Sequence, residues 1–389
     1  MAKAPEAAVA LPAANVAAWR LARQRLAGDP AKNPETVARD LVGVQAQVLS
    51  SAALSIALRT GDRVEATSEG LRKRRLLRLW AHRGTLHIFA ADDVPTIVAL
   101  RRPMEPWRRP AWLRYFGVNE AQMEQAIEAV GAILDDGVPR TRAEIAEVME
   151  AEYGKAFADL VRGSWGSFLK QAGNRGYVAQ AWTEDSSVAF VRPDRWLKAW
   201  RVHDPNAATR EVVLRYFAAY GPATSAELNR WAGLTGRGLK PVLKDIGDEL
   251  TEVDVDGERG LVRTRDLPEI EAAKPLPDGG VRLLGPFDPL IVGAGLRGQL
   301  IPEAHLSRVS RTAGWISPVV LIDGAVAGVW SSARDGTRLR ITIDPFGRPT
   351  AKLRSAIAKA AERVAEVQGT DPVVEFGPVF ATGNAPDEP

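Results

Sequence analysis

At 389 residues, 46 % of them apolar and 25 % charged, the chain is globular and too long for one core, so two to four domains are expected. The absence of cysteine excludes disulfides, thiolate metal sites and cysteine nucleophiles. No stretch reaches the roughly 18 consecutive apolar residues of a membrane span, and Pro5 and Glu6 interrupt any signal-like start, so a cytoplasmic protein without a membrane partner is expected.

The net charge of +3 says little, but its distribution says more. Residues 71–114 hold eleven cations, ten of them Arg, against Asp92, Asp93 and Glu105, a local balance of +8. Trp80, Trp107, Trp112 and Tyr115 are interleaved among them. Arginine pairs with phosphate through a planar fork, so a polyanion is the expected partner. The alternative is a solvated helix face whose Arg stems cover core.

In chain order, residues 1–12 read as a loose leader. Asn15 is an N-cap candidate for a helix over 16–26, stopped by Gly28-Asp29-Pro30. A second helix is expected from Glu35 through Leu41 to Gln45 and Gln47, a third over 52–59 and a fourth over 64–79. Residues 84–89 then alternate like a short strand, and helices followed by a strand pair is the layout of a winged helix.

The theme recurs. A helix over 120–134 precedes Thr141-Arg142-Ala143-Glu144, a capping box opening a helix over 142–152, then a helix over 161–173 and a wing-like hairpin with Thr183–Ser187 between its strands. A third unit runs from a helix over 209–219 through Thr224-Ser225-Ala226-Glu227, a turn at 233–235 and a candidate recognition helix over 239–246. Its strands are joined through Asp256-Gly257. Residues 268–280 read as a linker. Beyond it lie a strand at 281–284, a hairpin closed by Asp323-Gly324, a strand at 339–343, a long helix over 350–367, a strand at 373–376 and a polar tail.

The fold class is therefore mainly α with β: tandem winged-helix units over 13–117, 118–204 and 205–267, followed by an α+β domain over 281–380.

Gln45 and Gln47 stand one residue apart in an otherwise apolar run. A buried amide has two donors and an acceptor to satisfy, so two that converge can hold a water or a base edge; otherwise one faces solvent and the other caps. In a helix, residues two apart point about 200° from each other, so joint action requires a helix terminus or a distortion there. His82 and His87, without a third ligand nearby, make a poor zinc site and suit structural or phosphate-contact roles. Phe287-Asp288-Pro289 reads as a turn. The Asp323-Gly324 hairpin is a candidate groove probe, though its strands look core-like, and Arg308 and Arg311 are candidate DNA contacts.

Four blocks in order carry a family resemblance across residues 15–370: Gln45-Ala46-Gln47; Arg83-Gly84-Thr85-Leu86-His87; Leu283-Leu284-Gly285-Pro286-Phe287-Asp288-Pro289; and 315–330. They resemble the AlkZ-type DNA glycosylases, winged-helix proteins linked to azinomycin self-resistance and interstrand-crosslink repair. The resemblance implies three winged helices around a C-shaped DNA channel and a β-hairpin entering the minor groove. It also implies monofunctional hydrolysis of the N-glycosidic bond of N7-alkylguanine, with Gln45 and Gln47 as the catalytic pair. Relatives with Gln-apolar-Asp exist; Gln47 places this chain nearer the crosslink branch. The expected partner is double-stranded DNA carrying N7-alkylguanine, bound by a monomer without metal or cofactor. The candidate contacts are Arg72, Arg74, Arg75, Arg78, Arg83 and His87, with Arg308 and Arg311. The alternative is a non-catalytic winged-helix regulator or lesion-sequestering protein.

Overall fold

The computed structural model describes residues 8–163, 166–185, 187–234, 236–276 and 280–379. Ser186 of the expected wing, Thr235 of the third unit's turn, part of the expected 161–173 helix and of the linker, and the polar tail from 380 lie outside these residues.

Three sheets organise the chain. The first has six strands in the order Val44–Gln45, Leu86–Ala90, Leu76–Trp80, Ala179–Ala181, Ala189–Val191 and Arg140–Thr141. The expected first and second units thus share one sheet, joined where Arg78 pairs with Gln180. The spacing predicts a helix over 64–79, but the helix is Glu65–Arg72, and Arg74 turns the chain at φ +57° into the strand Leu76–Trp80. The misreading has a physical cause. This strand is central and largely buried, so Leu76, Leu77, Leu79 and Trp80 form a near-continuous apolar run that periodicity does not separate from a buried helix.

The second sheet pairs Leu250–Val255 with Glu258–Arg263 across Asp256-Gly257, both in the left-handed region. Its third strand is Val9–Ala10, parallel to Leu250–Val255, so the end of the expected leader is ordered structure. The helix that follows, Ala13–Arg23, packs Val16 and Trp19 against Val253, Val255, Val262 and Ile270, not against the glutamine region. Part of the expected linker is the short helix Leu267–Ala272, which buries Ile270.

The third sheet runs Arg282–Leu284, Val319–Ile322, Ala325–Asp335, Arg338–Pro345 and Asp371–Phe376. The last pair is parallel, connected through the helix Ala351–Gln368. The Asp323-Gly324 turn is present, but a Cβ on Gly324 would sit 2.8 Å from that of Ala17. Its tip packs on the helix Ala13–Arg23, which removes it as a groove probe.

Both capping boxes form, Thr141 with Glu144 and Thr224 with Glu227, and they open the helices Arg142–Tyr153 and Ser225–Ala232. The expected helix over 161–173 is two helices, Lys155–Gly163 and Ser167–Arg175. Among the described residues no helix is long and apolar enough to cross a membrane.

Candidate active site

The glutamines do not lie on a helix. Asn33 caps the helix Pro34–Asp40, its side chain accepting from the Thr36 N–H at 2.8 Å. The helix stops because Val42 and Gly43 both have positive φ, with the Gly43 N–H returning to the Ala38 carbonyl at 2.8 Å. Gly43 cannot be replaced freely: a Cβ there would fall 2.4 Å from the Phe89 ring. Val44–Gln45 is then a two-residue strand against Leu86–Ala90, with Gln45 opposite His87, and the next helix starts at Leu49. The expected helix terminus is thus a gap between helices. Gln45 is on the strand and Gln47 in the bend that follows it, so the helical separation of about 200° does not apply to them.

Both amide oxygens are held by the block that forms the neighbouring hairpin turn. The Arg83 guanidinium donates to Gln45 Oε1, and the Leu86 backbone N–H donates to Gln47 Oε1 at 3.3 Å. Both partners are donors only, so they fix each amide with its oxygen inward and leave its NH₂ and one carbonyl lone pair for a ligand. Gln45 is buried and Gln47 exposed. Arg78 donates to the Ala46 carbonyl at 2.9 Å and the Gln47 carbonyl at 3.3 Å, clamping the loop from the side. Tyr220 donates to the Leu41 carbonyl at 2.8 Å, and His82 Nε2 bonds the Val42 carbonyl at 2.9 Å.

The hairpin turn is itself constrained. Arg83 has φ +54°, a conformation costing a non-glycine residue roughly 1–2 kcal/mol. Its surroundings enforce it: the guanidinium also reaches the Trp231 carbonyl at 3.3 Å, and a Cβ on Gly233 would meet the Arg83 backbone nitrogen at 2.6 Å. His82 stacks on Trp231 with ring centroids 3.9 Å apart and meets His87 edge-on at 5.0 Å.

Burial holds both histidines neutral. It pushes His82 well below its ordinary value and His87 down to about 3, with Arg83 adding repulsion to both. The carbonyl partners then require the proton on His82 Nε2 and on His87 Nδ1, which bonds the Thr85 carbonyl at 3.0 Å. Neutral and hydrogen-bonded inward, they position the turn and do not act as acids.

The other sequence-selected cations are dispersed. Arg72 pairs with Glu69 at 2.8 Å and Arg75 with Glu35 at 2.5 Å; Arg74 lies over the Trp196 ring at 3.5 Å; Arg308 pairs with Asp344 at 2.6 Å. Arg311 is half-buried and has no ion-pair partner among the described residues. Arg74 and Arg75 line a groove of about 560 Å³ with Arg39, Lys73 and Lys198, which contains neither glutamine. Arg101 is counted in the sequence only as part of the basic run of 71–114; sequence reasoning missed Trp231, Tyr220, Lys170 and Asn174. They come from helices distant in the chain and carry no local motif. Among the described residues no group of acids and histidines is arranged to hold a metal ion.

The comparisons with known proteins agree with this geometry. A family model described as DNA glycosylase AlkZ-like matches residues 38–367, a span that includes the glutamine pair and the hairpin turn. An interstrand DNA cross-link repair glycosylase from Streptomyces sahachiroi is 37 % identical over 367 residues, covering 91 % of this chain and 96 % of that protein. The solved structure of the Streptomyces sahachiroi DNA glycosylase AlkZ superposes with a TM-score of 0.87 at 34 % identity, covering 95 % of this chain and all of that one. The chain therefore belongs to the AlkZ-like family of DNA glycosylases.

Proposed function

We propose that the chain hydrolyses the N-glycosidic bond of N7-alkylguanine in double-stranded DNA, including bulky and crosslinked adducts, with Gln45 and Gln47 as the catalytic pair. The observation that carries this is the fixing of both amides against one hairpin turn, with no carboxylate in the motif. N7-alkylation makes the base cationic, so the leaving group needs no protonation. What remains is to place a water at the anomeric carbon and stabilise a cationic sugar. Each carbonyl keeps one lone pair for such a water, and positioned groups of this kind supply roughly 2–4 kcal/mol each in a transition state.

The tandem winged-helix reading and the C-shaped channel belong to the same proposal, supported by the two equivalent capping boxes and by hairpins at Asp256-Gly257 and over 179–191. Of the candidate DNA contacts, Arg83 and Arg311 fit it best. Arg72, Arg74, Arg75 and Arg308 would reach phosphate by exchanging partners they already hold, Arg78 is engaged with the glutamine loop, and His87 supports the turn.

The test is incubation of the protein with duplexes carrying N7-methylguanine or a nitrogen-mustard crosslink, followed by assay for alkali-labile abasic sites. Wild type is expected to produce them and Gln45→Ala and Gln47→Ala to lose that activity. Full activity in both variants defeats the assignment of the pair. A wild-type protein that binds the duplex without excision supports a regulator or lesion-sequestering role.

A further inference from the structure

We propose that Arg83 and Lys170, with Arg101 behind them, form a seat for a phosphodiester of the damaged strand beside the glutamine pair. The proposal rests on the reading of that pair as a glycosylase centre, and it names how the DNA backbone is held there.

Three observations carry it. First, the cations converge on one turn. Arg83 is the turn residue that grips Gln45. Lys170 packs on the next residue: its Nζ lies 3.5 Å from where a Cβ of Gly84 would be. Asn174 is one helical turn beyond Lys170 in Ser167–Arg175, so the two share a face, and Asn174 Oδ1 accepts from Arg101 Nη2 at 2.9 Å.

Second, none of the three cations has a carboxylate ion-pair partner among the described residues. Elsewhere in this chain Arg59 pairs with Asp288, Arg263 with Asp266 and Arg215 with Asp93, while the buried Arg20 is answered by the carbonyls of Gly221, Pro222 and Gly295. Buried charges are ordinarily paired, and leaving one unpaired destabilises the fold. An uncompensated cluster suits a ligand that brings its own negative charge.

Third, the groups left unsatisfied around Arg101 are donors, whereas Gln171 Oε1 and His82 Nδ1, beside Lys170 and Arg83, are unpartnered acceptors. Arg101 Nη1 and Asn174 Nδ2 are buried and have no hydrogen-bond partner. Acceptor oxygens of an anion complement the two donors around Arg101. Arg83 and Lys170 are half-buried and keep part of their surface open, while Arg101, only 5 % exposed, contributes its field from behind. A phosphate anchored on the turn that holds Gln45 fixes the register of the damaged nucleotide against the amides.

The test uses the full chain and the variants Lys170→Gln and Lys170→Arg, with affinity for undamaged duplex measured by fluorescence anisotropy at several salt concentrations. Loss of one phosphate contact lowers the slope of log affinity against log salt by about 0.9. Lys170→Gln is expected to show that loss and roughly tenfold weaker binding at low salt, Lys170→Arg to restore both, and inorganic phosphate to raise the melting temperature of wild type more than that of Lys170→Gln. A folded Lys170→Gln protein with the wild-type slope overturns the seat, whether or not excision occurs. A reduced slope in a protein whose wild type excises nothing leaves the seat standing and defeats the glycosylase reading instead.

Discussion

Two buried arginines with opposite surroundings separate the structural from the functional part of this molecule. Arg59 is fully buried and donates two hydrogen bonds of 2.8 Å to Asp288, itself fully buried. It also reaches the carbonyls of Gln24 and Ser55, and Asp288 accepts from the Leu290 N–H to open the helix Pro289–Gly293. This joint ties three distant segments together and leaves no charge uncompensated. Arg101 is nearly as buried, yet among the described residues its guanidinium bonds only Asn174, and burial lowers it to about 10. The difference lies in whether the fold supplies the counter-charge. Where it does, the arginine is a fastening; Arg20, as buried as Arg101, is fastened by the carbonyls of Gly221, Pro222 and Gly295 instead, and Arg101 is the one proposed above to face a ligand's charge.

The sharpest way to break this contrast is Arg59→Ala. It strands Asp288 as an unpaired buried carboxylate and is expected to destabilise the protein by about 3–5 kcal/mol in urea titrations. A loss no larger than that of a surface substitution would show that the joint does not hold the fold. Next is Gln45→Ala, expected to lower the excision rate about 10²–10³-fold at unchanged melting temperature. A rate within a few fold of wild type would move catalysis elsewhere.

The buried histidines predict a pH dependence. Both have folded-state values below the ordinary 6.5, with His87 at about 3. The unfolded chain therefore binds more protons than the folded one between those values, and stability falls as pH drops below about 6.5. Each group contributes up to about 1.4 kcal/mol per pH unit. His87→Gln should remove one proton's share of that slope between roughly pH 4 and 6, as read from denaturation at successive pH values. An unchanged slope would mean that His87 titrates normally. The smallest effect is expected from Arg72→Ala. Its partner Glu69 already engages it at the surface, so the salt slope for DNA should stay at the wild-type value while that of Lys170→Gln falls.

Some of the site was legible in the chain because its signals are local. The capping boxes and the Asp256-Gly257 and Asp323-Gly324 turns each depend on residues within a few positions of one another and form as expected; the glutamine pair is as local in sequence, but it stands between helices and not at the end of one. The basic run of 71–114 misled in detail because composition does not reveal partners: Glu35 and Glu69 answer two of its arginines, and the Trp196 ring covers a third. The Asp323-Gly324 turn was legible, but not that Ala17 lies against it.

The sequence by itself determined the family, the candidate pair and the local turn chemistry, because these are written in residue identities and short spacings. Tertiary structure alone decided that the pair stands between helices, Gln45 on a strand and Gln47 in the bend after it, since Val42 and Gly43 end the helix where Phe89 packs against the turn. It also decided which cations stay unanswered. Arg83, Arg101 and Lys170 come from three separate segments, and whether a carboxylate lies within reach of any of them is a property of packing.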